Sequence, residues 1–233
     1  MKIKHIVITR LAVNWTKHKN FKQDWGIWVD ESIGYMDQLC RPSLKNQSNQ
    51  NFTLLSLVDE SVINFGNVLP NEKILKIKSN GGDYPKKDIL KQIDNYVKNI
   101  SNEYDAIITT RLDRDDCLHK DFIEIVQTKL KGCVKNTYVD IKNSITYDIV
   151  NDIVHDSPKY NSMVSPFVST FEVITNNSIQ CVSMKYDHTD VNKYLSGSKM
   201  NELAVIQVIT GKNMLNKMYG KPTKILKKDY GIE

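Results

Sequence analysis

The chain has 233 residues and a mass of 26.8 kDa, with 40% apolar and 25% charged side chains, a globular balance that excludes disorder, collagen and coiled coil. Thirty-two basic against 27 acidic residues give a net charge of +5 with the histidines neutral. That mild, scattered excess suits anionic small ligands such as nucleoside diphosphates and argues against nucleic acid as a partner.

Lys4 to Leu11 is short and β-branched, as a buried first strand should be, and it lacks the cleavage site of a signal peptide. From about Trp28 to Lys45, apolar Ile33, Met36, Leu39 and Leu44 predict an amphipathic helix running to Pro42 or a little beyond. A polar loop over 46–51 leads to a strand from Phe52 to Val58, ending in Asp59-Glu60-Ser61. Ile74 to Ile77 is a weaker strand, Asn80-Gly81-Gly82 a turn, and Lys86 to Ile100 a helix with Ile89, Ile93 and Val97 on one face. Tyr104 to Thr110 is a strand that runs into Arg111-Leu-Asp-Arg-Asp-Asp116, and His119 to Leu130 is a helix.

The last third changes character. Tyr138 to Ile153 alternates like an antiparallel strand pair, Val164 to Ile174 and Ile179 to Tyr186 suggest two more strands, Ser196-Gly197-Ser198 a loop, and Asn201 to Leu215 a final helix. Strand–helix alternation followed by antiparallel strands predicts an α/β fold, with a mostly parallel central sheet flanked by helices and an antiparallel C-terminal extension. A single domain over 1–233 is expected, with a nucleotide-binding half at about 1–117 and an acceptor-binding half at about 118–233.

No apolar run approaches the ~20 residues of a membrane span, so a cytoplasmic setting is expected. The lysine-rich tail (Lys221, Lys224, Lys227, Lys228) allows peripheral contact with an anionic membrane surface, although a solvated terminus explains it more simply. The four cysteines form no CxxC pair, so reduced thiols are expected rather than zinc or disulfides.

In open α/β sheets, ligands collect outside the carboxyl ends of the strands. Three such ends carry suitable side chains: Thr9-Arg10, Asp59-Glu60, and the run from Arg111 to Asp116, where two of only four arginines flank three aspartates. If the strand stays extended there, Asp113 and Asp115 share one face, and two neighbouring carboxylates call for a hard divalent cation. The plainer alternative is that Asp115 and Asp116 cap the following helix.

ThrThrArgLeuAspArgAspAsp after an apolar strand resembles the Asp-x-Asp signature of glycosyltransferases with the GT-A (Rossmann-like) fold, and more narrowly a rhamnosyltransferase family reading TRLDxDD at this place. The resemblance continues through Trp25 and Trp28, LeuCysArgProSerLeu (Leu39 to Leu44), Gln47, Phe52, ProPheValSerThrPheGlu (Pro166 to Glu172), His188, and ValIleGlnValIleThrGlyLysAsn (Val205 to Asn213).

The resemblance implies a metal-dependent glycosyltransferase of hexosyl type, inverting, moving rhamnose or another hexose from a UDP-, dTDP- or GDP-linked donor to a glycan or lipid-linked glycan. A non-catalytic nucleotide- or glycan-binding module of the same fold is the alternative. By similarity, Asp115 would bind the ion, Asp113 would share it or hold the ribose, and Asp116 would stand behind them. Asp59 would meet the base, and Arg10 or Arg111 the base or phosphate, beside Thr9 and Arg114. His188 is the candidate third metal ligand, and its imidazole favours Mn²⁺ over Mg²⁺. Glu172 is the first candidate for the base that takes the acceptor proton, with Asp190 and Asp187 as alternatives. Trp25 and Trp28 suit stacking on a sugar or core packing alike.

Overall fold

The computed structural model describes residues 1–79, 81–157, 160, 162–201, 205–211, 220–225 and 227–232. Its first half alternates as expected: β1 (Ile3–Ala12), α1 (Trp25–Tyr35), α2 (Arg41–Lys45), β2 (Thr53–Asp59), β3 (Glu72–Ile77), α3 (Lys86–Ile100) and β4 (Ala106–Arg111). Asp24 caps α1 by accepting from the backbone N–H groups of Gly26 and Ile27. α1 and α2 form one continuous rod, joined by a π-helical turn at Met36–Cys40. That wider turn stands just ahead of Pro42, which has no N–H to offer an α-helical ladder. Every residue of β2 is buried, as a strand covered on both faces requires.

β5 (Cys117–Leu118), α4 (Phe122–Leu130), β6 (Thr137–Ile141), β7 (Ser144–Asp148), β8 (Ile153–Ser157), β9 (Ser169–Val173), α5 (Val182–Lys185), β10 (Ser196–Met200), β11 (Val205–Ile209) and β12 (Lys221–Pro222) complete the described elements. Seven strands form the main sheet in the order β10-β6-β9-β4-β1-β2-β3. β1, β2, β3 and β4 run parallel, and β9 opposes both β4 and β6. The chain winds outward from β1 to β3 and returns to β4 on the other side of β1, so the winding reverses between β1 and β4.

One face of this sheet packs Val7, Leu11 and Ile108 against α1 and α4; the other packs Ile6, Ile8 and Ile107 against α3 and α5. A second sheet, β12-β8-β7-β11-β5, gathers around Cys117, Ile145 and Ile206.

Four expectations for the last third are corrected. The strands within 138–153 do not pair with each other: β6 joins the main sheet, while β7 pairs with β8 in the second. The 179–186 segment holds the short helix α5 instead of a strand, because Cys181 adopts left-handed backbone (φ 50°) and ends any extended run. Val205–Ile209 is a fully buried strand and not the start of a helix, a case in which a short apolar run carries no decisive period. Residues 202–204 and 212–215 of that predicted helix lie outside the described residues. Ser196-Gly197-Ser198 belongs to edge strand β10, where Gly197 lies so close to Tyr138 that any side chain would collide with it.

The cysteines are free thiols, and among the described residues no helix is long and apolar enough to cross a membrane. Lys227 is tied to Asp152 and Tyr147, so this part of the lysine-rich tail is engaged with the fold.

His5 is buried between β1, β4 and α4, with Nε2 2.8 Å from Thr110 Oγ1. Burial, helped by Lys4, lowers its pKa to about 3, so it folds neutral. The unfolded chain therefore binds the extra proton between about pH 6.5 and 3, and stability should fall with pH across that window by about 1.4 kcal/mol per unit. Urea titrations of wild type and His5→Gln at pH 7, 5 and 4 should show a shallower decline in the variant.

Candidate functional site

Where strand order reverses, the loops leaving two adjacent parallel strands turn to opposite faces and leave a crevice at their carboxyl ends. Here those ends deliver Arg10 from β1 and Arg111 from β4. β4 stops at Arg111, and the backbone N–H of Asp116 donates to the Asp113 carbonyl at 3.1 Å. The acidic run is thus a turn and not an extended strand. Asp113 and Asp115 are brought within each other's electrostatic reach by this turn, not by the pleat. The capping alternative also falls away, because α4 begins at Phe122 with Asp121 ahead of it.

Arg10 Nη2 donates to Asp113 Oδ1 at 2.7 Å. Partial burial pushes the Asp113 carboxyl up, but Arg10 and Arg111 outweigh it and hold the group at about 2. Arg111 is itself lowered by burial and by the neighbouring Arg10, while one of its nitrogens donates to the Ser183 carbonyl at 3.3 Å. Both guanidinium groups stand near Asp113, and with Lys86 they outnumber the carboxylates of Asp113 and Asp187 at a cleft of about 400 Å³. Trp15 and Tyr84, with ring centroids 5.8 Å apart, line it beside Lys86 and Asp187.

Asp115 is raised by its withdrawal from solvent and by Asp113, in part offset by Arg114. Asp116 is raised by burial, then by Asp115 and Asp113; it is 1% exposed and accepts from Val208 N at 2.9 Å, tying the acidic turn to β11 of the second sheet. His188 follows Asp187, with Nδ1 3.2 Å from that carboxylate. Partial burial and Arg111 lower its pKa, which favours the neutral imidazole, and Asp113 lies within its electrostatic range. Among the described residues, no three His, Cys, Asp or Glu side chains are already gathered as a metal cage.

The other expected site residues are placed elsewhere. Thr9 is fully buried in β1, one residue short of the rim. Asp59 stands at the end of β2, but its oxygens accept from Ser61 N and Ser61 Oγ in the loop that follows it and from Ser79 Oγ in the loop after β3. Arg114 turns to the α1 face, its guanidinium 4.4 Å from the Trp28 ring. Glu172 pairs with Ile107, four residues before Arg111 along β4, and accepts from Val182 N at 3.0 Å under α5. Asp190 is bound to Lys193 at 2.7 Å. Glu172 and Asp190 are thus not at the cleft, whereas Asp187 lines it. Trp15, Tyr84 and Lys86 were not anticipated, although Trp15 and Tyr84 lie in strand-to-helix loops at the rim and Lys86 opens α3 there.

A parallel-stranded α/β domain with a cationic, aromatic-walled cleft at its switch point and an acidic turn beside it has the plan of a glycosyltransferase domain. Residues 25–222 match the family profile described as "Putative rhamnosyl transferase", and the chain belongs to that family. It is also similar to the crystal structure of S. aureus TarS 1-349, at 16% identity over 64% of this chain and 36% of that one, with a TM-score of 0.33. A second likeness is to a "putative nucleotide-diphospho-sugar transferase" from Desulfovibrio desulfuricans G20, at 10% identity over 86% and 80% of the two chains, with a TM-score of 0.41. The chain spans about a third of the length of that TarS structure. No curated protein matches the sequence.

If Asp116 serves to join the sheets, Asp116→Ala should destabilise the fold by about 1–3 kcal/mol by orphaning the Val208 N–H. Asp116→Asn, which keeps an acceptor oxygen, should melt within a few degrees of wild type in differential scanning calorimetry.

Proposed function

We propose that this chain transfers a hexosyl group, rhamnose or another hexose, from a nucleoside-diphosphate donor to a hydroxyl of a glycan acceptor. The observation that carries this reading is the gathering of Arg10, Arg111 and Lys86 at one cleft, where they outnumber the carboxylates of Asp113 and Asp187. A diphosphate entering the cleft relieves that excess charge, and guanidinium forks match its oxygens. Trp15 and Tyr84 offer flat apolar surface to the nucleoside, and Lys86 adds a further positive charge at the same mouth.

The acidic turn fits a divalent cation in its chemistry. Asp115 holds its proton more tightly than an isolated carboxylate because of burial and Asp113, and a bound cation would remove both the repulsion and the proton. Asp115 would hold the ion with Asp113 beside it, and neutral His188 is the third candidate ligand, a donor set that favours Mn²⁺ over Mg²⁺. When bound, the ion supplies Lewis-acid stabilisation of the departing diphosphate. Arg10 and Arg111 orient the leaving group. Glu172 and Asp190 have no part in this reading.

Thermal shift with UDP, dTDP and GDP, each with and without Mn²⁺, tests it. One nucleotide should stabilise the protein by about 2.7 kcal/mol at a hundredfold excess over its Kd, and more weakly without metal. Asp115→Asn should fold normally and lose the Mn²⁺-dependent increment, while Arg10→Ala should lose the nucleotide response itself. Equal stabilisation of wild type and Asp115→Asn by the nucleotide with Mn²⁺ would reject the metal assignment. Nucleotide binding with no donor turnover against any glycan would identify a binding module instead.

A further inference from the structure

A second cleft opens at the same rim, on the opposite face of the main sheet. It has a volume of about 350 Å³ and lies between the first turns of α1 and the loop that leaves β2. Trp25, Val29 and Ile33 give it an apolar wall, and Asp30, Ser61 and Asn64 give it polar edges. It is joined to the acidic turn by stacked rings: Trp25 lies on Trp28 at 5.3 Å and 20°, and Trp28 carries the guanidinium of Arg114, the residue before Asp115.

The loop is held in place by buried charges. Arg41 donates to Glu72 at 2.8 and 2.9 Å and to Asp37 at 2.5 Å, and Asp37 accepts from Asn67 N at 3.0 Å. Ser61 is fixed by Asp59, and Val62 is buried. The groove is therefore a formed surface before any ligand arrives.

A pyranose ring has an apolar C–H face and a rim of hydroxyls. An indole face beside a carboxylate, an amide and a hydroxyl complements both. Among the described residues of the lining, Asp30 is the one charged side chain, which disfavours a diphosphate, and none is a lysine, which disfavours an anionic lipid surface.

We propose that this groove is an acceptor subsite for an oligosaccharide, holding sugar units beyond the one that receives the transferred hexose. The proposal rests on the transferase reading and adds the acceptor class: a glycan chain longer than a monosaccharide, because two stacked rings separate the groove from Arg114. Donor and acceptor then approach the acidic turn from opposite faces of the sheet.

The three tryptophans allow a direct test, since their indole N–H resonances in ¹⁵N-labelled protein can be assigned by single Trp→Phe variants. The probes are UDP, dTDP and GDP with Mn²⁺, and tetrasaccharides of glucose, N-acetylglucosamine, mannose and rhamnose. At least one tetrasaccharide should move the Trp25 signal, its monosaccharide should move it far less, and nucleotide should move Trp15. Trp25→Ala and, as a milder loop variant, Asn64→Ala should weaken tetrasaccharide binding about tenfold for the former and several-fold for the latter, with the Trp15 response to nucleotide retained. If nucleotide moves Trp15 while no tetrasaccharide moves Trp25, the groove assignment is overturned and the donor reading stands. A nucleotide that moves Trp25 in place of Trp15 also overturns it, by making the groove a base site. Tetrasaccharides that move Trp25 when no nucleotide moves Trp15 leave the groove as a glycan site and remove the donor reading.

Discussion

The contact between Arg10 and Asp113 crosses the point where the main sheet reverses its winding. β1 and β4 are neighbours there, and this ion pair joins the carboxyl-terminal part of β1 to the turn that follows β4. A partly exposed pair of this kind adds little to stability on its own. Its importance lies in what it fixes: the acidic turn begins at Asp113, and a second guanidinium from Arg111 stands close enough to be lowered by the first. The cationic cleft, the acidic turn and, through Arg114, the indole stack all lie beside that pair.

Behind the pair, the turn has a firm support. Asp116 reaches a backbone N–H of β11, and Cys117 and Leu118 enter the second sheet directly afterwards. The two sheets thus meet beneath Asp115, which is held near Asp113 despite their like charge. Low solvent access strengthens every interaction at this junction, favourable or not. The arrangement explains how three consecutive-looking aspartates divide their work. One pairs with arginine, one has its pKa raised by burial and by its neighbour, and one serves the backbone.

Much of this was legible in the sequence, and the parts that were not share a cause. β1, β2, α3 and β4 follow from period and burial because each is long or uniformly apolar. The rim residues Arg10, Arg111, Asp113 and Asp115 follow from the rule that ligands gather at carboxyl ends. The depth of Glu172 was not legible because its place in a family-like motif says nothing of burial: strand register puts it beneath α5, where its carboxylate meets the start of a helix. β11 and α5 were misjudged because four apolar residues around Gln207 carry no clear period and a left-handed cysteine leaves no sign in composition. Trp15 and Tyr84 come together across 69 positions of chain, a proximity set by tertiary folding alone.

The π-helical turn at Met36–Cys40 has a consequence for how this chain can vary in evolution. Each residue added to or removed from a helix rotates everything beyond it by about 100°. Met36 and Cys40 face the main core while Leu39 faces the second, and Arg41, directly after the wide turn, is aimed at Glu72 in a fully buried pair. A one-residue deletion that restored regular winding would swing Arg41 off its partner and leave both charges stranded in the interior. Length changes should accordingly be absent from this segment among homologues, and insertions should gather in the exposed loop ahead of α1.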